Sequence, residues 1–389
     1  MKILYLTSED MRKEGGGKTH FFEVAKHLTD LGNELLILLP GYLPCDNKNY
    51  RLNIKYVPTF RKSIFAYLFY EFINIFYLSY YISKFKPDVI YSRQCLLDFM
   101  HPIIAWLFKV PYVMEKNGIM EDEFRSRGIN EFIIKILKLS ERVNLHLSRM
   151  IICVTDGIKR EIFNRYKISE NKMVVIPNGV NPKIFRPLNK HDSRRKIGLS
   201  DDKFYVGFVG SFVVWQGIDV LIEAAKIIKE KDYKDILYLL VGDGEITNSL
   251  KKRVERYTLQ SEVIFCGRVA YHNVPIYINA CDVVVVPKKL RNESIGLSPL
   301  KLYEYLACSK PVIATKIKGL VEVIQEGRCG YICEPDDAED LADKIILAYS
   351  KREFLSQLGK NGRKLVEKRY TWRNTAKKII NVLCTVVNK

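Results

Sequence analysis

The chain has 389 residues, more than one hydrophobic core fills, so two domains are expected. Its 48% hydrophobic and 27% charged residues are those of an ordinary globular protein. The formal net charge of +18 is not ordinary and implies an acidic partner: a nucleic acid, a phosphorylated substrate or an anionic membrane.

The basic residues are spread along the chain, with no basic tail and no nucleic-acid motif, so a nucleic-acid partner is not expected. The nine cysteines are odd in number and scattered, which points to free thiols in a reducing compartment. Cys329 and Cys333 are close but have no matching second pair, and no histidines stand at zinc spacing, so no metal is expected. The start, MKILYLTSED, has too brief an apolar run for a signal peptide and turns acidic at once. A cytoplasmic protein is expected, peripheral on the inner membrane face if the charge serves that purpose.

Residues 2–7 read as a buried strand, and the glycine loop Glu14-Gly15-Gly16-Gly17-Lys18 follows. Phe21, Phe22, Val24, Ala25 and Leu28 then recur at helical spacing, Gly32 ends that helix, and residues 34–39 form the next strand. Strand, loop, helix and strand make a βαβ unit with a parallel sheet. Further short strands are expected at 88–92, 112–114 and 151–154.

Residues 61–86 differ from their surroundings. They are dense in Phe, Tyr and Ile, with basic residues at both ends, and Glu71 and Asn74 interrupt the run, which argues against a spanning helix. Two readings stay open: an amphipathic helix seated in a membrane interface, and a core helix pair packed on the sheet.

The turn-rich stretch from Pro177-Asn178-Gly179 to Pro187 separates this series from a second. Strands are expected at 204–209, 236–241, 263–266, 282–286 and 311–314, and several end in glycine: Gly210, Gly242 and Gly267. Glycines at strand carboxyl ends mark where such sheets bind ligands. A basic helix closes the chain at 371–388.

Residues 293–315 carry the sharpest chemical signal. Ser298 is a favoured N-cap and Pro299 fits the first helical position. The N–H groups of Leu300 and Lys301 then lie at a helix end that attracts anions, and Lys301 adds a full positive charge. Glu304 shares a face with Lys301, where a carboxylate one turn below a phosphate can take two ribose hydroxyls. Together these describe a clasp for a nucleoside diphosphate. The plainer reading is a capped surface helix before a buried strand.

Other motifs fail. Gly17-Lys18-Thr19 lacks the first glycine of a P-loop, because Arg12 stands in its place. Gly207, Gly210 and Gly217 do not make a nicotinamide fingerprint, and no Ser/His/Asp set stands out.

These features converge on a family. The chain resembles glycosyltransferase family 4, retaining enzymes of the GT-B fold: α/β, with two Rossmann-like doubly wound domains facing across a cleft. The resemblance rests on the Gly15-Gly16-Gly17 loop, on residues 154–160, on Val175-Ile176-Pro177-Asn178-Gly179-Val180 with Phe185, on 209–224, and on 304–315. It implies an acceptor domain at 1–185, a nucleotide-sugar domain at 186–370, and a terminal helix at 371–389 that crosses back to the first domain.

The implied activity is sugar transfer from a UDP- or GDP-sugar to a glycan or lipid-linked glycan, with no cofactor. The implied catalytic residues are Glu293 and Asn117. Gly16, Gly17, Leu300, Lys301 and Ser298 would cradle the diphosphate, with Gly210, Ser211, Gln216 and Gly242 lining the loops. Glu304 would hold the ribose, and Arg268 and Val269 would lie near the base. Ser211 and Gln216 stand where the family carries Arg and Lys, so two cations are missing. Lys301 is expected to compensate, with Lys288, Lys289 or Arg291. Glu293 and Glu304 are eleven residues apart where the resemblance implies eight, so either three residues are inserted or the first glutamate is absent. The alternatives are a nucleotide-sugar 2-epimerase of the same fold and a non-catalytic nucleotide-sugar-binding scaffold.

Overall fold

The computed structural model describes residues 1–9, 11, 15–41, 52–59, 64–93, 98–121, 129–290 and 298–388. Chain contacts divide it into two units, one of residues 1–178 with 372–389 and one of 179–371. Each is a parallel sheet with helices in the connections, the Rossmann-like architecture.

The first unit is built on β1 (Lys2–Leu6), β2 (Glu34–Pro40), β3 (Asn53–Val57), β4 (Val89–Arg93), β5 (Tyr112–Lys116), β6 (Met150–Cys153) and β7 (Met173–Val175). They pair in the order β3-β2-β1-β4-β5-β6-β7, every pairing parallel. β1 is central, so Ile3, Leu4, Tyr5 and Leu6 are all buried. The edge strands β3 and β7 are partly exposed, and their weaker apolar pattern hides them from a reading of the sequence.

The helices of this unit are α1 (Gly16–Asp30), α2 (Ile64–Phe85), α3 (Met100–Leu107), α4 (Glu131–Leu147) and α5 (Asp156–Tyr166). Right-handed crossovers put α1 on one face of the sheet, because the chain first steps from β1 to β2. They put α2 to α5 on the other, because it then steps from β3 across to β7. The aromatic stretch is therefore one helix of 22 residues, not a pair. Glu71 and Asn74, which break its apolar run, are turned inward and buried. The Glu71 carboxylate accepts the N–H groups of Phe99 and Met100 at 3.0 and 3.1 Å, which satisfies the start of α3. Among the described residues no helix is long and apolar enough to cross a membrane.

The second unit contains β8 (Phe204–Val209), β9 (Ile236–Val241), β10 (Val263–Gly267), β11 (Val283–Val286), β12 (Val312–Thr315) and β13 (Gly330–Cys333), in the order β10-β9-β8-β11-β12-β13. Its helices are α6 (Lys190–Lys196), α7 (Ile218–Glu230), α8 (Thr247–Arg256), α9 (Val274–Ala280), α10 (Leu300–Ala307), α11 (Leu320–Gly327), α12 (Ala338–Ser350) and α13 (Leu355–Arg369). β11 reads VVVV and is buried throughout, as a strand covered on both faces must be. The first unit stops at Asn178, earlier than the expected boundary after residue 185. Val180 and Phe185 are buried in the second unit's core, and the Val180 N–H donates to the Tyr370 carbonyl at 2.9 Å.

The last helix, α14 (Trp372–Val387), belongs to the first unit, where it packs on α1. Trp372, Ile379 and Leu383 are buried there, and the Trp372 ring meets the His20 ring edge-on at 5.1 Å. Ile379→Ala should lower the stability of the first unit by about 2–5 kcal/mol, read as a lower denaturant midpoint. An unchanged midpoint would show that the helix is a loose appendage.

Candidate functional site

In the second unit the loop after β8 passes in front of α10 and approaches it so closely that side chains are restricted. A Cβ on Gly210, where φ is +152°, would lie 2.6 Å from Lys301 Nζ. A Cβ on Gly242 would collide with the Gly210 carbonyl, and one on Gly217 with the Pro287 carbonyl. Glycine is therefore required for the loops after β8 and β9 to nest at the carboxyl edge of the sheet.

Lys301 sits in the first turn of α10. Its ammonium donates to Gln216 Oε1 at 2.8 Å and lies 4.0 Å from the centre of the Phe208 ring. Burial pushes its pKa well down, the charge of Lys288 adds to this, and Glu304 opposes both. Burial likewise raises Glu304 to about 7, with Lys301 opposing. The pair thus shares one face of α10, as its spacing predicts. Gln216, although neutral, is the amide that holds Lys301.

One expectation about this helix is corrected. α10 begins at Leu300, Pro299 occupies the cap position, and no side chain caps it. Ser298 is one place too far back, and its hydroxyl lies 3.3 Å from the Tyr303 hydroxyl instead. Of the cations considered as substitutes, Lys289 is paired with Asp219 at 2.6 Å, and Lys288 is the neighbour that lowers Lys301. Arg291 and Glu293 lie outside the described residues. Ser211 is exposed on the loop after β8. Arg268 follows β10, is exposed and stands 3.6 Å from Asp243 Oδ2, while Val269 packs partly into the core.

The first unit has its own polar cluster at the carboxyl ends of β1, β4 and β5. Glu115 is fully buried there and meets His20 Nε2 at 2.9 Å, the Tyr91 hydroxyl, and Arg93 Nε at 3.8 Å. Burial pulls its pKa upward, but His20, Arg93 and Tyr91 outweigh that and hold it at about 2. Arg93 also reaches Glu9 at 2.5 Å, and Glu9 in turn lies against Gly17 in the first turn of α1. Asn117 donates from Nδ2 to Glu115 Oε1 at 2.9 Å, so its amide takes part in this network.

Sequence reasoning picked out Asn117, Gly16 and Gly17 here but missed Glu9, His20, Arg93 and Glu115. Residues so far apart leave no local motif, and the signal available was a polar residue at or just before the end of an apolar strand, as with Arg93 and Glu115.

A family model described as Glycosyl transferases group 1 matches residues 189–365, and one described as Glycosyltransferase Family 4 matches residues 14–184. An uncharacterized glycosyltransferase of Methanocaldococcus jannaschii is 34% identical over 58% of this chain, a match that spans 56% of the relative. A second one from that organism is 27% identical over 98% of this chain and 97% of its own length. The capsular polysaccharide biosynthesis glycosyltransferase CapM of Staphylococcus aureus is 25% identical over 83% of each chain.

Among solved structures, sucrose-phosphate synthase from Thermosynechococcus elongatus superposes with a TM-score of 0.79 at 20% identity, covering 99% of both chains. Anabaena HepE in complex with UDP-glucose gives 0.77 at 19% identity, covering 99% of this chain and 100% of that one. The fold is that of the GT-B glycosyltransferases.

The raised carboxyl should be directly visible. In a spectrum of carboxyl-labelled protein, one resonance that is absent from Glu304→Gln should titrate near pH about 7. A midpoint in the ordinary glutamate range, about 4.3, would show that Glu304 is solvated.

Proposed function

The chain belongs to the glycosyltransferases, with the family 4 domain in its first half and the group 1 domain in its second, and from that premise we propose a donor, an acceptor and roles for its residues. The donor is a UDP- or GDP-linked sugar. The acceptor is a glycan or a lipid-linked glycan, and the transfer retains the anomeric configuration. The observation that carries the reading is Lys301, a desolvated ammonium beside an uncapped helix start, with Glu304 one turn below. Structures related by fold bind UDP-glucose, and one relative works in capsular polysaccharide biosynthesis, which supports the substrate classes.

The hard step is departure of the nucleoside diphosphate as the glycosidic bond breaks. Negative charge grows on the leaving oxygen, and a fixed cation with N–H groups aimed at it stabilises that charge without reorganisation. Lys301 and the N–H groups of Leu300 and Lys301 take this role, with Lys288 as second cation. Gly210, Ser211, Gln216 and Gly242 line the loops around the diphosphate, and Ser298 stands at the entrance of α10. Glu304, when ionised, accepts the ribose hydroxyls, and Arg268 and Val269 flank the base.

In the first unit, Gly16 and Gly17 offer N–H groups to phosphate at the start of α1. Asn117 would hydrogen-bond a sugar hydroxyl there, while Glu293, whose catalytic role rests on the family resemblance, lies outside the described residues of the second unit. The net charge of +18 suits a chain working in the cytoplasm on the anionic face of a membrane.

Lys301→Ala should lower kcat/KM for the donor by roughly 10²-fold or more, the usual loss when a donor to a developing oxyanion is removed. Glu304→Ala should chiefly raise the donor KM. If neither variant changes turnover, the site lies elsewhere. Release of an epimerised donor in the absence of any acceptor would overturn the transferase reading in favour of the epimerase.

The ribose contact needs the carboxylate form, and Glu304 is ionised only above its pKa of about 7. Donor KM should therefore rise as the pH falls from about 8 to about 6, and Glu304→Gln should flatten that dependence. A screen with UDP, GDP and ADP should identify the base, because a ligand that binds the native state raises Tm.

A further inference from the structure

The helices on one face of the first sheet have two sides with different chemistry. α2 packs on α3 and α3 on α4. Their inner stripes enter the core: Tyr70, Leu78 and Ile82 from α2, Ile104 from α3, Ile134 and Leu137 from α4. The outer stripe of α2 carries Phe69, Phe72, Phe76 and Tyr80, at a spacing that puts all four on one side. Phe72 and Phe76 are 57% and 59% exposed, with ring centres 5.5 Å apart. α3 ends in Trp106 and Leu107, 66% and 61% exposed, and α4 presents Phe132 at 70% and Leu139 at 55%. Large apolar groups gathered on one helix layer mark a surface meant to be covered.

Charge says what covers it. The same helices carry exposed cations: Lys84 and Lys86 at the end of α2, Lys109 after α3, and Lys135 and Arg142 along α4, while Lys138 on α4 pairs with Glu121 at 3.1 Å. The acids of the same helices are mostly withdrawn. Glu71 and Glu141 are buried, Glu141 pairs with the buried Lys116, and Glu131 remains exposed. Lys84 donates to the Tyr80 hydroxyl at 3.0 Å, so a ring and an ammonium share one position on the outer stripe. Phenyl rings and a phenol on the outer side of α2, an indole at the end of α3 and lysines on the same helices match the boundary between acyl chains and anionic headgroups. A bilayer also needs no groove to receive a helix side.

We infer that the outer surface of α2, α3 and α4 seats the first unit on an anionic lipid bilayer. α2 lies in the interface plane, with Phe72, Phe76 and Tyr80 among the acyl chains and the lysines at the headgroup phosphates. The inference deepens the proposed function by placing the enzyme where a lipid-linked acceptor would be. It can be tested without any turnover, so the two readings fail separately.

The test is co-sedimentation of the full chain with phosphatidylcholine vesicles, with and without roughly 30% phosphatidylglycerol. Binding should be strong on the anionic vesicles at low salt, weaker on the neutral ones, and should fall as salt screens the lysines. Tryptophan emission should shift to the blue on binding. Trp106→Phe should remove that shift while most of the binding remains. Phe72→Ser with Phe76→Ser, and separately Lys135→Glu with Arg142→Glu, should each weaken binding about tenfold or more. Donor turnover on a soluble acceptor should persist in both, which shows that they fold.

Sedimentation equal in wild type and variants, or none at low salt, would overturn the inference. So would a dimer in light scattering that the Phe72 and Phe76 substitutions abolish, because the surface would then belong to a second copy. Vesicle binding without any donor turnover would instead sink the transferase roles and leave the membrane face standing.

Discussion

At the carboxyl edge of the second sheet, the half-buried Lys301 holds its ammonium between the Phe208 ring and the Gln216 amide, neither of which bears a full negative charge, with the Glu304 carboxyl on the same helix. Desolvating an ammonium this far costs several kcal/mol unless an anion compensates, which is why its pKa is driven down. Gly210 faces the lysine ammonium, and Gly242 packs against the Gly210 carbonyl behind it. The approach is so close that a Cβ at Gly210 or Gly242 would intrude.

The first unit handles a buried charge in the opposite way. Glu115 is buried, yet His20, Arg93, Tyr91 and Asn117 converge on it. Nearby, Lys116 pairs with Glu141, which also accepts the Tyr166 hydroxyl at 2.6 Å. A carboxylate so fully satisfied is a structural anchor. It fixes the strand ends and the start of α1 and leaves little demand for a ligand of its own. The contrast between a satisfied anion and an under-satisfied cation distinguishes the two sheet edges chemically, although their backbones are built on the same plan.

α2 joins fold and surface. Its inward Glu71 ties it to α3, while its outward aromatics remain exposed among the described residues. One helix thereby serves the core on one side and an external phase on the other. Glu71 interrupts the apolar run on the core side, where the N–H groups it accepts offset its desolvation.

Much of this was legible in the residues alone. The apolar runs at β1, β2, β8, β9 and β11 announce buried strands, and Gly210, Gly242 and Gly267 stand at the ends of β8, β9 and β10. The spacing of Lys301 and Glu304 places them on one helix face, because periodicity and i,i+3 geometry are local properties of the chain. Local patterns could not show that Gln216 would hold Lys301, that Lys289 would be taken by Asp219, or that Ser298 would miss the cap by one position. Nor could they assemble Glu9, His20, Arg93 and Glu115, or decide which side of α2 would face out. Those outcomes depend on which strand ends adjoin and which helix faces meet. Contacts between residues far apart in sequence are fixed only when the whole sheet closes, and only then is it settled which charges keep water and which lose it.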